Sequence, residues 1–278
     1  MNKPIYFLAS LMSNAEVAAL YHDSILIAAP NIKTKKHIAN ITRWIEQGKN
    51  ILIDSGVFEL CSHHAKTNSI QLNAALGSPP DSIDGFGKLL DHLMNVEKQL
   101  KNAFAIVEVD IGGKKHKRNT RAFIESNGAK VCPVFHPLID GWDYLDELGE
   151  KYPCIFVGNV VDASESLRLY IIARLLKWKQ THQETWIHML GVTPSPTALA
   201  MPMNSYDSST WVASVRWPTG WKAGGLWHKV SGFDRDMIYS RTDKRISHEK
   251  SMHVSALDEA CNAQCATHYA NVLSEAGC

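Results

Sequence analysis

An alternation along the chain constrains its fold more than any other feature. Short β-branched runs, each stopping at a polar residue or glycine, are separated by helix-like stretches. The runs cover 5–9, 25–28, 51–53, 104–109, 130–135, 154–157, 185–190 and 205–208; helix-like apolar spacing with few breakers covers 38–48, 85–101, 118–127, 142–151 and 164–180. Nearly continuous hydrophobic strands spaced by helices imply a parallel sheet covered on both faces. A closed barrel and an open doubly wound sheet share this pattern, and the count of strands favours the barrel. The expected fold is therefore a single (β/α)8 TIM-type barrel over residues 1–254, with a short C-terminal helical extension at 255–278 packed on it.

At 278 residues the chain fits one domain of this kind, and 45% hydrophobic with 21% charged residues is the composition of an ordinary globular protein. Its start lacks a basic region followed by an uninterrupted apolar stretch, and no segment approaches a membrane span, so a cytoplasmic protein without a membrane partner is expected. A formal charge of +1 excludes whole-molecule attraction to nucleic acid, leaving a local patch as the means of meeting such a partner. The six cysteines read as reduced thiols or metal ligands. No G-x-G-x-x-G follows a strand and no G-x-x-x-x-G-K-[ST] occurs, which removes the nucleotide-cofactor loops. The glycine- and proline-rich stretches at 77–80 and 217–225 read as surface loops.

In parallel α/β folds, side chains at the carboxyl ends of strands converge on one rim. Here those ends carry Asp54 in ILIDSGVF, Asp110 in IVEVDIGG, His136 in VCPVFHP, Gly158 and Asn159 in IFVGNVV, His188 to Gly191 in IHMLGV, and Asp207 in SYDSSTW. Three carboxylates brought together would be costly for folding alone, because buried charges need partners. A humbler reading stays open: Asp54 and Asp207 could cap the helices after their strands, and Asp110 could begin a turn. Core packing is the corresponding reading of Phe58 and Leu190, and the two histidines could be satisfied core residues.

These ordered segments resemble the tRNA-guanine transglycosylases, and more closely their phage and bacterial relatives, the 7-deazaguanine DNA transglycosylases. ILIDSGVF is similar to that family's D-S-G-x-F strand end, FVGN to its A-V-G-E, HMLGV to its Y-L-M-G-V, and SYDSSTW to the S-x-D-S-x-S-W of the phage-type enzymes. The resemblance covers roughly residues 50 to 215, in order. It implies that Asp207 is a nucleophile, that Asp54 is a general acid and base, and that Asp110 accepts hydrogen bonds from the guanine edge. It further implies that Phe58 and Leu190 stack on the base, with Gly158, Asn159 and Gly191 lining its pocket. Asn159 departs from the acidic residue usual there, and the tRNA enzymes' C-x-C-x-x-C spacing is missing. With the shorter chain, these departures favour the DNA-directed branch.

The implied activity is replacement of guanine in DNA by a 7-deazaguanine of the preQ0 type, with tRNA as the alternative acceptor and no cofactor required for the chemistry. A phage-encoded enzyme of this sort would work in the host cytoplasm. A catalytically silent barrel that binds nucleic acid is the alternative from another class, and a metal-dependent hydrolase a third. Lys114, Lys115, Lys117 and Arg118, with His116, form the one dense basic run, which with Arg216 reads as phosphate contacts or as a solvated face. Cys261, Cys265 and His268 fall on one face of a helix expected over 255–274, with Cys278 as a possible fourth ligand; they read as a structural zinc site or as buried apolar cysteines.

Overall fold

The computed structural model describes residues 4–160, 163–192 and 203–209 and two short strands at 221–223 and 226–228. Eight parallel strands form its centre: β1 (Ile5–Ser10), β2 (Ser24–Ala28), β3 (Asn50–Asp54), β4 (Ala105–Ile106), β5 (Val134–Phe135), β6 (Cys154–Val157), β7 (Trp186–Met189) and β8 (Ser205–Ser208). The ladder runs β4-β3-β2-β1-β8-β7-β6-β5. A parallel bridge between Val107 and Cys132 joins the two outer strands and closes the ring; two backbone bonds hold it, Cys132 N–H to the Ile106 carbonyl at 2.7 Å and Glu108 N–H to the Cys132 carbonyl at 3.0 Å. The fold is thus the expected (β/α)8-type barrel. An antiparallel pair, β9 (Trp221–Ala223) and β10 (Leu226–His228), falls where a surface loop was expected at 217–225.

Inside the ring, Phe7, Leu26, Leu52, Ala105, Val107, Val134 and Phe156 fill the lumen as one apolar cluster. Alternate residues of the same strands, such as Leu8, Ile25, Ile27, Ile51 and Ile53, face outward into the layer beneath the helices. Two buried faces explain why these strands read as unbroken hydrophobic runs rather than alternating ones. Each fully buried side chain of this size contributes about 1.5–3 kcal/mol, so the packed lumen leaves the rim, not a central pore, for chemistry.

Among the described residues, eight α-helices lie between the strands: α1 (Met12–Tyr21), α2 (Lys35–Glu46), α3 (Val57–Asn68), α4 (Leu72–Gly77), α5 (Phe86–Gln99), α6 (Gly113–Ser126), α7 (Trp142–Lys151) and α8 (Glu165–Lys179). The Thr34 hydroxyl accepts the His37 N–H at the start of α2, and Ser164 does the same for Leu167 at α8, each satisfying a donor the helix cannot. α1, α3 and α4 escape the sequence periodicity. In α3 the buried face is Val57, Cys61 and Ala65, too small and weakly apolar to stand out from SHHAKTN. Gly56 opens that helix at φ +84°, and a Cβ there would lie 2.5 Å from the Pro30 ring, so neither backbone nor space admits another residue. The C-terminal extension, with Cys261, Cys265, His268 and Cys278, and Arg216 all lie outside the described residues. Among the described residues, no helix is long and apolar enough to cross a membrane.

Candidate active site

Because all eight strands are parallel, their carboxyl ends share one rim, and Asp54, Asp110 and Asp207 stand on it. Asp54 ends β3, Asp110 follows β4, and Asp207 sits in β8 beside Phe7 of β1. Their charges are felt mutually: burial pushes the Asp54 carboxyl up to about 7, and the negative charges of Asp110 and Asp207 push it the same way. The three acids thus feel one another's charge along the rim. Asp54 still keeps part of its surface exposed, whereas Asp110 and Asp207 are buried.

Each carboxylate has one oxygen engaged by the fold. Asp54 Oδ2 accepts the Gly56 N–H at 3.0 Å. That contact secures the start of α3, so a capping-type bond is present, yet it does not account for the acidic neighbours. Asp110 Oδ2 lies 2.7 Å from His136 Nε2. Asp207 Oδ1 receives the Gly191 N–H at 2.9 Å and stands 3.0 Å from His188 Nε2.

The proton on His188 is placed by a chain behind it. Trp186 Nε1–H donates to Ser205 Oγ at 2.8 Å, and Ser205 Oγ lies 2.8 Å from His188 Nδ1. Having accepted from the indole, the serine turns its single hydroxyl proton toward Nδ1; the imidazole proton then belongs on Nε2 and is given to Asp207. Phe156 and Phe7 flank the ring at 4.7 and 5.6 Å between centroids and fix its plane. On the other side of the mouth, His136 Nδ1 is buried without a partner, which leaves Nε2 as the nitrogen that donates to Asp110.

Gly158 explains how His136 comes so close. A Cβ there would fall 3.0 Å from His136 Nε2 and 3.1 Å from Cδ2, so the imidazole occupies the room a side chain would need. Asn159, next along, departs from ordinary geometry twice: its φ is +60°, and its Nδ2 is buried with no hydrogen-bond partner. Left-handed backbone in a non-glycine residue and an orphaned amide each cost on the order of 1–3 kcal/mol. Their coincidence at a strand end is where a ligand acceptor would be received.

Phe58 is 63% exposed in the first turn of α3, which removes the core-packing reading for it. Leu190 is half-buried and packs against the lumen cluster, so it serves the core while bordering the rim.

The basic run needs correction. Lys117 is completely buried: its ammonium pairs with Asp140 and donates to the Val134 carbonyl at 2.8 Å, so it cannot reach a phosphate. Asp140 in turn accepts the His136 N–H at 2.7 Å, which makes Lys117 part of the support of the site. Lys114 pairs with Asp143 and Arg118 with Glu147; Lys115 is exposed, as is Arg118. Sequence reasoning also passed over the partners of the carboxylates. His136 and His188 were visible as strand-end residues, but their roles depend on pairings across the closed ring.

No family model and no curated protein matches the chain. Among solved structures, it is similar to one described as a fructose-1,6-biphosphate aldolase from Coccidioides immitis, at 9% identity and a TM-score of 0.47 over 95% of this chain and 86% of that one. It is also similar to orotidine 5'-monophosphate decarboxylase from Methanocaldococcus jannaschii, at 16% identity and 0.39 over 74% and 89%. A third is the carboxyl transferase domain of Rhizobium etli pyruvate carboxylase, at 10% identity and 0.43 over 96% and 48%. None of these three is a transglycosylase, and the fold assignment rests on the strand ladder itself. Among the described residues, no group of three or more His, Cys, Asp and Glu side chains is placed to hold a metal ion.

Proposed function

We propose that the chain is a DNA guanine transglycosylase that replaces guanine with a 7-deazaguanine of the preQ0 type through a covalent glycosyl-aspartate. The observation that carries this reading is the acidic mouth, in which an acid titrating near neutrality, Asp54, is grouped with an aspartate held in place by a histidine and a backbone N–H, Asp207. Cleaving a bond from a purine to a sugar passes through an oxocarbenium-like state at C1′, which a carboxylate can trap. Both fold contacts of Asp207 fall on Oδ1, and no hydrogen bond from a described residue falls on Oδ2, which is the oxygen available to attack.

Asp54 suits the second role. A carboxyl that titrates at about 7 protonates the departing base and takes a proton from the incoming one with little mismatch to neutral pH. Asp110, with Oδ2 on His136, offers its other oxygen to the N–H groups of a guanine edge, and the orphaned Asn159 amide offers a donor to a base acceptor. A base lacking these complements leaves buried groups unpaired, which is how such a site discriminates. Exposed Phe58 supplies a stacking face, worth roughly 1–3 kcal/mol per base. Flipping costs a few kcal/mol, offset by backbone contacts in which Lys115 takes part.

Incubation with duplex DNA and labelled preQ0 tests the reading. Incorporation that disappears in Asp207→Ala supports it; no incorporation by the wild type, or incorporation retained in Asp207→Ala, contradicts it. Parallel incubation with tRNA separates the two acceptors, and binding without exchange on either would identify a silent nucleic-acid-binding barrel.

A further inference from the structure

The opposite end of the barrel holds two thiols that base exchange does not use. Cys154 opens β6, while Cys132 precedes β5 and is tied to β4 through the Val107 bridge. β5 and β6 set Val134 against Phe156; continuing that register two residues toward the amino ends brings Cys132 opposite Cys154. Both side chains pack against the lumen cluster, and neither is completely buried. The register and the shared lumen face thus set the two thiols side by side. Neighbouring strands lie about 4.8 Å apart, inside the roughly 4.4–6.8 Å that disulfides span between Cα atoms.

We propose that Cys132 and Cys154 form a redox-closable dithiol at the amino end of the barrel, a modification site for hydroperoxides that staples β5 to β6. The hydrogen bond from Cys154 lowers the Cys132 thiol below its ordinary value and raises that of Cys154, which makes Cys132 the attacking thiolate. Its sulfur displaces hydroxide from hydrogen peroxide, giving a sulfenic acid. The Cys154 sulfur then attacks that sulfenic sulfur, and its proton leaves with the departing hydroxide as water. Two thiols and one peroxide thus become one disulfide and two waters; a thiol reductant reverses the closure. Cys61 is the internal control, buried in α3 with its thiol pushed up to about 12 by burial.

The linkage also ties together the strands that lead to His136 and Asn159, about 13–17 Å along the chain at the active rim. The experiment is independent of base exchange. The full-length protein is treated with a slight molar excess of hydrogen peroxide, alkylated under denaturing conditions and mapped by mass spectrometry. A Cys132–Cys154 linked peptide, lost on adding dithiothreitol, with Cys61 still alkylated, is expected. In Cys154→Ser, Cys132 is expected to stop at a sulfenic acid that dimedone traps. Cys132 and Cys154 remaining alkylatable in the treated wild type, or either pairing with a different cysteine, overturns the proposal.

Discussion

Asp54 and Glu108 both titrate near 7 because both are stripped of water, yet they sit in opposite surroundings. Glu108 faces cations. Arg121 contacts its Oε2 at 3.0 Å, Lys117 acts on it favourably, and the Val134 N–H reaches its Oε1 at 2.7 Å. Arg121 continues to the Tyr144 hydroxyl at 2.9 Å, and Lys117 to Asp140. Asp54 faces two further acids and only the backbone N–H groups of Ser55 and Gly56. One buried cluster balances its charges and braces β4, β5, α6 and α7; the other concentrates a single sign. Burial of charge alone therefore does not mark a functional site, whereas burial without compensation does.

The largest expected effect lies in the balanced cluster. Lys117→Met strands the Asp140 carboxylate and the Val134 carbonyl, and losing one partner of a buried pair costs about 3–5 kcal/mol. Thermal unfolding should show a fall in Tm of about 10 °C, a scale set by the usual entropy of unfolding for a chain of this size. An unchanged Tm would mean that the network is not structural.

A smaller effect, of opposite sign, is expected in the acidic mouth. Unfolded, Asp54 titrates near 3.8, and folded near 7, so between these values the native state holds a proton that the unfolded chain has released. Its contribution to stability therefore falls as pH rises from about 4 to 7 and stays low above that. Asp54→Asn should remove this loss and raise stability at pH 8 by roughly 1–3 kcal/mol in urea unfolding. Glu108 carries a similar pH-linked loss between about 4.5 and 7, but Glu108→Gln also leaves the buried Arg121 guanidinium without its counter-charge, a cost of about 3–5 kcal/mol that should outweigh the gain and lower stability under the same conditions. Equal signs for the two variants would dissolve the distinction.

The smallest effect tests how closely the two clusters are joined. Gly158→Ala forces the His136 imidazole to yield by a few tenths of an ångström against Asp110. The cost in stability should be about 1 kcal/mol, while affinity for free base in calorimetry falls further, since Asp110 loses its orientation. Unaltered base affinity would remove Asp110 from the binding surface.

The strands could be read from the sequence because each is buried on two faces, leaving uninterrupted apolar runs such as those of β2 and β3. α3 could not, since its buried positions are small. The rim acids were legible as strand-end residues, but their partners were not: His136 meets Asp110 and His188 meets Asp207 only once the strands are in register around the ring. Lys117 misled for the same reason. A lysine within a basic run looks solvated until a carboxylate 23 residues away closes on it.

Covalent trapping of the nucleic acid tests the central claim most directly. Wild-type protein is mixed with guanine-containing DNA, quenched with denaturant, digested and mapped by mass spectrometry. The account expects a sugar-linked adduct on Asp207, absent from Asp207→Asn while DNA binding by that variant stays nearly intact. An adduct on another residue, or loss of DNA binding together with the adduct in Asp207→Asn, would contradict it.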